Sequence, residues 1–258
     1  MCIAIYKPST ARISEDRLRE AYNANPDGCG FMWKGDINIE NTKGCWDFDQ
    51  AYAVYEMLES FEVDFVVHFR TASSGSISKE NCHPFYVNDH LSFVENGNLY
   101  EYSDYFGDGK KDKKTDTQRF NDDVLKKLPD GFLHVPRIRK ALENYCKSNQ
   151  VKMIFMDNSG DVEIVNVSAG EWVDGCWYSN GGIKNYIGYG YSGAYYYNKG
   201  DVRHKGGLFS VQMLTEDKRK DWSRCPECSG YFKDLDSICT DCVSWGELLK
   251  MRGEIGKS

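Results

Sequence analysis

Short apolar runs and apolar residues at helical spacing both occur along the chain, so the hydrophobic pattern predicts strands and helices together. The run at 63–69 is nearly continuous, as in a strand that is covered on both faces. Strands are predicted at 2–6, 30–33, 63–69 and 91–94. A helix is predicted after Asp47, a good N-cap, because apolar residues then recur on one face. That face consists of Ala51, Tyr55, Leu58 and Phe61.

Turn and capping residues predict the remaining elements. Three further helices are predicted from their starting residues, Ser14, Thr115 and Pro136. Two hairpins are predicted from their turn residues, joining 30–33 to 37–39 and 151–156 to 162–167. The small and polar residues at 70–84 predict a loop. Because strands and helices do not alternate regularly, the pattern predicts an α+β layered fold.

Length and charge narrow the class of protein. A chain of 258 residues can bury one substantial core with a small appended element. Its net charge of −7 makes nucleic acid an unexpected partner. No basic leader and no apolar stretch of about 20 residues is evident, so neither secretion nor a membrane span is expected. We therefore expect a cytoplasmic protein whose cysteines are metal ligands, nucleophiles or buried apolar residues.

Four of the ten cysteines form two C-x2-C pairs near the end of the sequence. They are Cys225, Cys228, Cys239 and Cys242. Four thiolates satisfy tetrahedral zinc and leave no position for water, so this pattern predicts a structural Zn²⁺ site. The separation of the pairs is slightly shorter than in the commonest zinc patterns. Free cysteines, two disulfides or a redox pair remain alternatives.

Cys2 changes the functional interpretation. Initiator methionine is usually removed before a small residue, and removal of Met1 would leave a thiol and a free α-amine on Cys2. An α-amine titrates at about pH 8, so it can accept the thiol proton at neutral pH. A cysteine at position two is nevertheless more often incidental, so the hypothesis requires partner residues.

Four segments follow Cys2 in order along the chain. They are His68-Phe-Arg70-Thr-Ala-Ser73-Ser-Gly75, Asn81-Cys-His-Pro84-Phe85, Glu95-Asn96-Gly97-Asn98-Leu99 and Thr115-Asp116-Thr117-Gln118. Together with Cys2 they resemble the class II glutamine amidotransferases, which are N-terminal-nucleophile hydrolases. The later Trp177-Tyr178-Ser179-Asn180 resembles a segment of compact, stand-alone relatives, many of them encoded by bacteriophages.

The resemblance implies a fold and a domain organisation. The fold is a four-layer αββα sandwich, in which two stacked sheets lie between helical layers. The amidotransferase-like domain would cover residues 2–185. A Tyr/Gly-rich linker or extension would follow at 186–220, and a zinc-ribbon-like knuckle at 221–246.

The resemblance also implies a reaction. Cys2 would attack the side-chain amide of glutamine, giving a γ-glutamyl thioester and ammonia, and water would then release glutamate. The oxyanion of the tetrahedral intermediate needs preorganised donors, and the matching positions are the Asn96 side chain and the Gly97 N–H.

The implied substrate contacts come from three further residues. Arg70 would bind the α-carboxylate of glutamine through a two-pronged ion pair, and Asp116 would bind the α-ammonium. Ser73 occupies a position where the family usually has threonine, and it can form an equivalent hydrogen bond. Glu95 departs from the histidine found in many family members, so a carboxylate near the oxyanion donors could weaken anion stabilisation or point away.

Each of these residues also has a purely structural interpretation. Arg70 at a strand end could form a surface ion pair, and Asn96-Gly97 alone is most often a hairpin turn. Thr115 and Gln118 fit a capping box, in which Asp116 simply carries favourable charge for a helix N-terminus. His68 on an apolar strand is more often a satisfied core residue than a base. The basic residues 110–114 predict a solvated loop or a lid.

The chain beyond residue 185 is too short for a synthetase domain, so the ammonia is expected to pass to a separate synthetase, unless the enzyme is a free-standing amidase. The substrate is expected to be glutamine or a related amide. Two alternatives stay open: an inactive fold that binds a partner through the zinc knuckle, and an N-terminal-cysteine hydrolase of another amide. A phage-encoded protein would act in the host cytoplasm.

Overall fold

Two antiparallel sheets form the centre of the protein. The structure, a computed structural model, describes residues 2–73, 75–103 and 114–180 and two short strands near the C-terminus. The described helices are α1 (Glu15–Ala24), α2 (Phe48–Ser60), α3 (Asp116–Asp123) and α4 (Pro136–Asn149). The strands of residues 2–180 are β1 (Ile3–Lys7), β2 (Cys29–Lys34), β3 (Ile39–Cys45), β4 (Phe65–Phe69), β5 (Phe85–Asn88), β6 (Leu91–Asn96), β7 (Lys152–Asp157), β8 (Val162–Val165), β9 (Glu171–Val173) and β10 (Cys176–Tyr178).

The first sheet has six strands in the order β3-β2-β4-β1-β10-β9, and the second has four in the order β5-β6-β7-β8. Neighbouring strands are antiparallel in both sheets. The central strands β1 and β4 pair from Ile3↔Phe69 to Lys7↔Phe65. This register places the residue before β1 next to the residues that follow β4.

Three apolar clusters define the layers. Helices α1 and α2 pack on one face of the first sheet, through residues such as Leu18 and Leu58. Helices α3 and α4 pack on the outer face of the second sheet, through residues such as Phe120 and Leu142. A third cluster, which includes Trp177, lies between the two sheets. The predicted four-layer αββα arrangement is therefore confirmed for the described residues.

The predicted helix starts are confirmed by the cap contacts. The Ser14 side chain accepts a hydrogen bond from Arg17 N at 3.3 Å, and Asp47 Oδ1 accepts one from Gln50 N at 2.8 Å. At α3, Thr115 and Gln118 form the reciprocal bonds of a capping box. These side chains satisfy N–H groups that a helix leaves unpaired in its first turn.

Four strands of residues 2–180 differ from the sequence-based expectation. The strand predicted at 37–39 is wrong in position, because β3 begins at Ile39 and continues to Cys45. Its residues are mostly polar and half-buried at the sheet edge, so they lack an apolar signature. The short strands β5, β9 and β10 were not predicted. β5 and β9 also lie at sheet edges, whereas β10 lies between β1 and β9.

Near the C-terminus, β11 (Trp222–Arg224) pairs with β12 (Tyr231–Lys233) in an antiparallel hairpin. The predicted zinc ligands lie outside the described residues, as do the linker at 186–220 and residues 110–113 of the basic loop. Within the described part of the chain, no helix is long and apolar enough to cross a membrane.

Candidate active site

The Cys2 thiol lies against the end of β4, as the pairing of β1 with β4 requires. Thr71 N donates a hydrogen bond to Cys2 Sγ at 3.2 Å, and the thiol contacts Thr71 O at 3.3 Å. Cys2 is half-buried. The nucleophile predicted from the sequence therefore sits directly beside the predicted arginine segment.

The backbone carbonyl of Cys2 is held by two asparagine side chains. Asn96 Nδ2 donates to Cys2 O at 2.8 Å, and Asn180 Nδ2 donates to the same atom at 2.7 Å. Asn96 Nδ2 also donates to Ser179 Oγ. Because Asn96 ends β6 in the second sheet and Cys2 precedes β1 in the first, this contact joins the two sheets. Both amide hydrogens of Asn96 are engaged, so binding of an oxyanion requires one of these bonds to be exchanged.

Gly97 follows β6 at a point of close backbone packing. A Cβ at this position would lie 2.7 Å from Val151 Cγ2 and 3.0 Å from Val151 Cα, so a larger residue would displace the turn. The next residue, Asn98, accepts a hydrogen bond from Ser73 Oγ at 3.2 Å. The loop that follows β4, which contains Ser73, therefore contacts the asparagine–glycine turn at residues 96–97.

Asp116 is brought to the same turn by α3, whose first residue it is. Its Oδ2 accepts a hydrogen bond from Leu99 N at 2.9 Å, and its Oδ1 accepts one from Thr117 N at 3.0 Å. The capping-box interpretation is correct for this segment, and the same geometry places the carboxylate beside the site. The two interpretations are compatible.

Arg70 is buried, with only 3% of its surface exposed, so the alternative of a surface ion pair is wrong. Its backbone N–H donates to Gly28 O at 2.8 Å, and Nη1 donates to Ser76 O at 3.0 Å. These bonds fix the side chain at the start of the loop that follows β4. The structure thus gathers all the predicted site residues of the first 180 positions around one end of the two sheets.

Electrostatics around Cys2 favour the neutral thiol. Burial raises the pKa of Cys2 and the charge of Glu95 raises it further, while the Thr71 hydrogen bond and Arg70 lower it. His68 is fully buried, and burial together with Arg70 lowers its pKa to about 3. A neutral histidine between the sheets fits the core interpretation rather than that of a base.

Glu95 lies inside the protein rather than pointing into solvent. Its exposed fraction is 3%, and burial raises its pKa to about 8, with a smaller contribution from the charge of Asp116. The concern that this carboxylate stands near the oxyanion donors is therefore relevant, because the group neither leaves the site nor faces water.

Three contact residues were missed by sequence reasoning. Thr71 contacts the thiol, whereas Ser179 and Asn180 contact Asn96 and Cys2. Ser179 and Asn180 belong to the segment that resembles compact relatives, so a signal for them was present, but no role was attached to it. Thr71 could have been found from its place directly after Arg70.

The fold is the predicted four-layer αββα sandwich, and the site lies where its two sheets meet. Residues 23–163 match the family of glutamine amidotransferases class-II. Since the match covers more than half of the sequence, the chain belongs to the class II glutamine amidotransferases. The matched range contains Arg70, Asn96 and Asp116, whereas Cys2 lies before it. No curated protein matches the sequence.

Similar solved structures include the two that follow. The glutamine phosphoribosylpyrophosphate amidotransferase from B. subtilis, complexed with ADP and GMP, shares 14% identity over 69% of this chain and 41% of its own, with a TM-score of 0.40. A glutamine aminotransferase class-II domain protein from Silicibacter pomeroyi shares 18% identity over 61% of this chain and 73% of its own, with a TM-score of 0.29. This chain spans about two fifths of the length of the B. subtilis chain.

Proposed function

We propose that this chain hydrolyses the side-chain amide of glutamine, with Cys2 as the nucleophile after removal of Met1. The observation that carries the proposal is the position of Cys2, which contacts Thr71 at the end of one sheet and Asn96 at the end of the other. A substrate beside the thiol would therefore meet the arginine segment and the asparagine–glycine turn together.

The nucleophile needs a base, because burial keeps the thiol of Cys2 protonated at neutral pH. The free α-amine of a mature Cys2 is the base in this proposal, since it titrates near about pH 8 and belongs to the same residue. The amine takes the thiol proton as sulfur attacks the amide carbon. It then gives the proton to the amide nitrogen, which leaves as ammonia, while the γ-glutamyl group stays on the sulfur of Cys2 as a thioester. Water hydrolyses the thioester to glutamate.

The oxyanion of the tetrahedral intermediate would be bound by Asn96 Nδ2 and the Gly97 N–H. Asn96 already donates toward the Cys2 backbone, so a short side-chain shift exchanges that acceptor for the oxyanion. Preorganised donors of this kind stabilise a developing negative charge without further reorganisation.

The charged ends of glutamine are matched by two buried groups of opposite sign. Arg70 would pair with the α-carboxylate, and Asp116, held by Leu99 N, would pair with the α-ammonium. Ser73, which contacts Asn98, is placed to donate a hydrogen bond at the mouth of the same site.

A glutamine analogue that carries a diazo-ketone in place of its amide tests this proposal. The purified protein should lack Met1 by intact mass, and peptide mapping should find a single label on Cys2. The Cys2→Ser protein is the matched control and should stay unlabelled. Labelling of other cysteines, no labelling of a protein that lacks Met1, or an active protein that retains Met1 would contradict the proposal.

We further propose that the ammonia serves a separate acceptor enzyme in the cytoplasm, which is the host cytoplasm if the protein is phage-encoded. A catalytic thiol favours a reducing compartment. The isolated protein should then release ammonia into solution in the same amount as glutamate. Glutamate without free ammonia would indicate an acceptor site on this chain instead.

The C-terminal cysteines are proposed to bind structural zinc. Cys225 and Cys228 lie in the sequence between the paired strands β11 and β12, and two C-x2-C pairs are typical ligands of a structural zinc ion. Elemental analysis should find about one zinc per chain, and Cys228→Ser should lose it while glutamine hydrolysis is retained. A wild-type protein without zinc would refute the assignment.

A further inference from the structure

Glu95 connects the asparagine–glycine turn to the N-terminus of α3. Its Oε2 accepts a hydrogen bond from Thr117 Oγ1 at 2.9 Å. Its Oε1 faces the turn, since a Cβ built on Gly97 would lie 2.9 Å from this oxygen. Thr117 is adjacent to Asp116, which itself holds Leu99 N. The Glu95 side chain thus contacts the turn at Gly97, which carries the proposed oxyanion donors and is called the oxyanion turn below. It also contacts Thr117, which is next to the proposed α-ammonium ligand Asp116.

The surroundings of Glu95 disfavour an ionised carboxylate. Within the described residues, Oε1 is buried without a hydrogen-bond partner, and Glu95 forms no ion pair. Ionising a buried carboxyl group with one hydrogen bond beside a second carboxylate is strongly unfavourable.

Titratable groups approach Glu95 from every element packed around it. They are Asp116 of α3, Tyr145 and Cys146 of α4, Lys152 of β7, His68 of β4, which is neutral because its pKa is lowered to about 3, and the thiol of Cys2. Lys152 alone carries a positive charge among them, and it is half-buried and bonded to no Glu95 oxygen within the described residues. The balance of these charges opposes ionisation of Glu95.

We propose that Glu95 is a positioning residue that must be neutral for efficient glutamine hydrolysis, so that its ionisation weakens the oxyanion turn and limits the reaction at high pH. This inference rests on the proposed function. A neutral carboxyl beside Gly97 does not oppose the negative charge of the tetrahedral intermediate. An ionised one repels that charge and also disfavours the thiolate of Cys2.

The pH at which this change occurs follows from the pKa of Glu95, which burial raises to about 8. Activity should rise toward pH 8 as the α-amine of Cys2 loses its proton, and then fall as Glu95 ionises. The wild-type profile of kcat/KM is therefore expected to be bell-shaped.

The test measures glutamate release from glutamine by wild type and Glu95→Gln across the pH range. Gln keeps an oxygen that accepts from Thr117 but cannot ionise. The ratio of kcat/KM for Glu95→Gln to that for wild type should rise about tenfold from about pH 7 to about pH 9, because the contribution of the α-amine cancels. Glu56→Gln, which removes an exposed carboxylate on α2, is the control and should give a constant ratio.

A second variant keeps the carboxyl and covers the case in which Glu95→Gln does not fold. The Thr117 hydrogen bond lowers the pKa of Glu95, so Thr117→Val should move the descending limb of the profile to higher pH. A purely structural role for Thr117 would lower activity without moving that limb. A pH-independent ratio for Glu95→Gln, or an unmoved limb in Thr117→Val, would overturn the inference while leaving the proposed function intact. Absence of any wild-type activity would instead refute the proposed function.

Discussion

Asn96 offers one amide nitrogen to two protein acceptors, Cys2 O and Ser179 Oγ, and the proposed chemistry asks the same nitrogen to bind an oxyanion. Asn96→Ala should therefore lower kcat by about 10²–10³, the usual effect of losing such a donor. Asn180→Ala is a matched control, because Asn180 also donates to Cys2 O but has no proposed role in the oxyanion. Steady-state kinetics should show a smaller loss of kcat for Asn180→Ala, and an equal loss would contradict the assignment.

Arg70 should act on substrate binding more than on the chemical step. Replacement of Arg70 by Gln removes a charge-assisted, two-pronged bond to the α-carboxylate, so kcat/KM should fall by about 10–100-fold, mostly through KM. The comparison substrate is a glutamine analogue with a neutral α-carboxamide, whose kcat/KM should change little in the variant. Equal losses for both substrates would indicate that Arg70 only supports the loop.

At the scale of elements, the sequence predicted the helix starts and the strand that depend only on residues close to them in the chain. The caps Ser14, Asp47 and Thr115 and the buried strand β4 were predicted because each depends on neighbouring residues alone. The edge strand β3 was misplaced, since its polar residues are held by pairing with β2 rather than by their own preference. Pairing with β2, rather than the local sequence pattern, thus determines where β3 begins and ends.

The N-cap of α3, Thr115, stabilises the helix that positions Asp116 in the candidate site. Thr115→Ala should destabilise the protein by about 1 kcal/mol, as loss of an N-cap usually does, and should also raise KM because Asp116 is the next residue. Asp47→Ala removes the comparable cap of α2 and should cause a similar loss of stability with unchanged KM. Urea unfolding and glutamine kinetics on both variants separate the two effects. An unchanged KM for Thr115→Ala would argue against Asp116 as a substrate ligand.

At the scale of the whole molecule, the candidate site exists only where the two sheets meet. Cys2 contacts Thr71 at the end of β4, and Asn96 comes from the second sheet. Asn180 follows β10, which pairs with β1 on the side away from β4. The resemblance predicted Cys2 and Asn96 but gave no role to Thr71 or Asn180. The sequence also could not predict that both amide hydrogens of Asn96 are engaged or that Glu95 is buried. Those facts depend on how the layers pack.

Burial of Glu95 also predicts how the stability of the folded protein depends on pH. The pKa of Glu95 in the folded protein, about 8, lies above the ordinary value of about 4.3. Between these pH values the folded state binds more protons than the unfolded state, so the free energy of unfolding falls as the pH rises. Relative to Glu95→Gln, wild type should lose at most about 1.4 kcal/mol per pH unit in this window. Urea unfolding of both proteins from about pH 5 to pH 8 checks this. A constant difference would mean that Glu95 is ionised in the folded state.

The central claim is that the sulfur of Cys2 performs glutamine hydrolysis, and the most direct measurement is glutamate formation by the purified protein and its Cys2→Ala variant under identical conditions. We predict steady, multiple-turnover release of glutamate by the wild type and none above background by a variant that is folded by circular dichroism. Equal glutamate release by the two proteins, or no release by a wild type that begins at Cys2, would contradict the account.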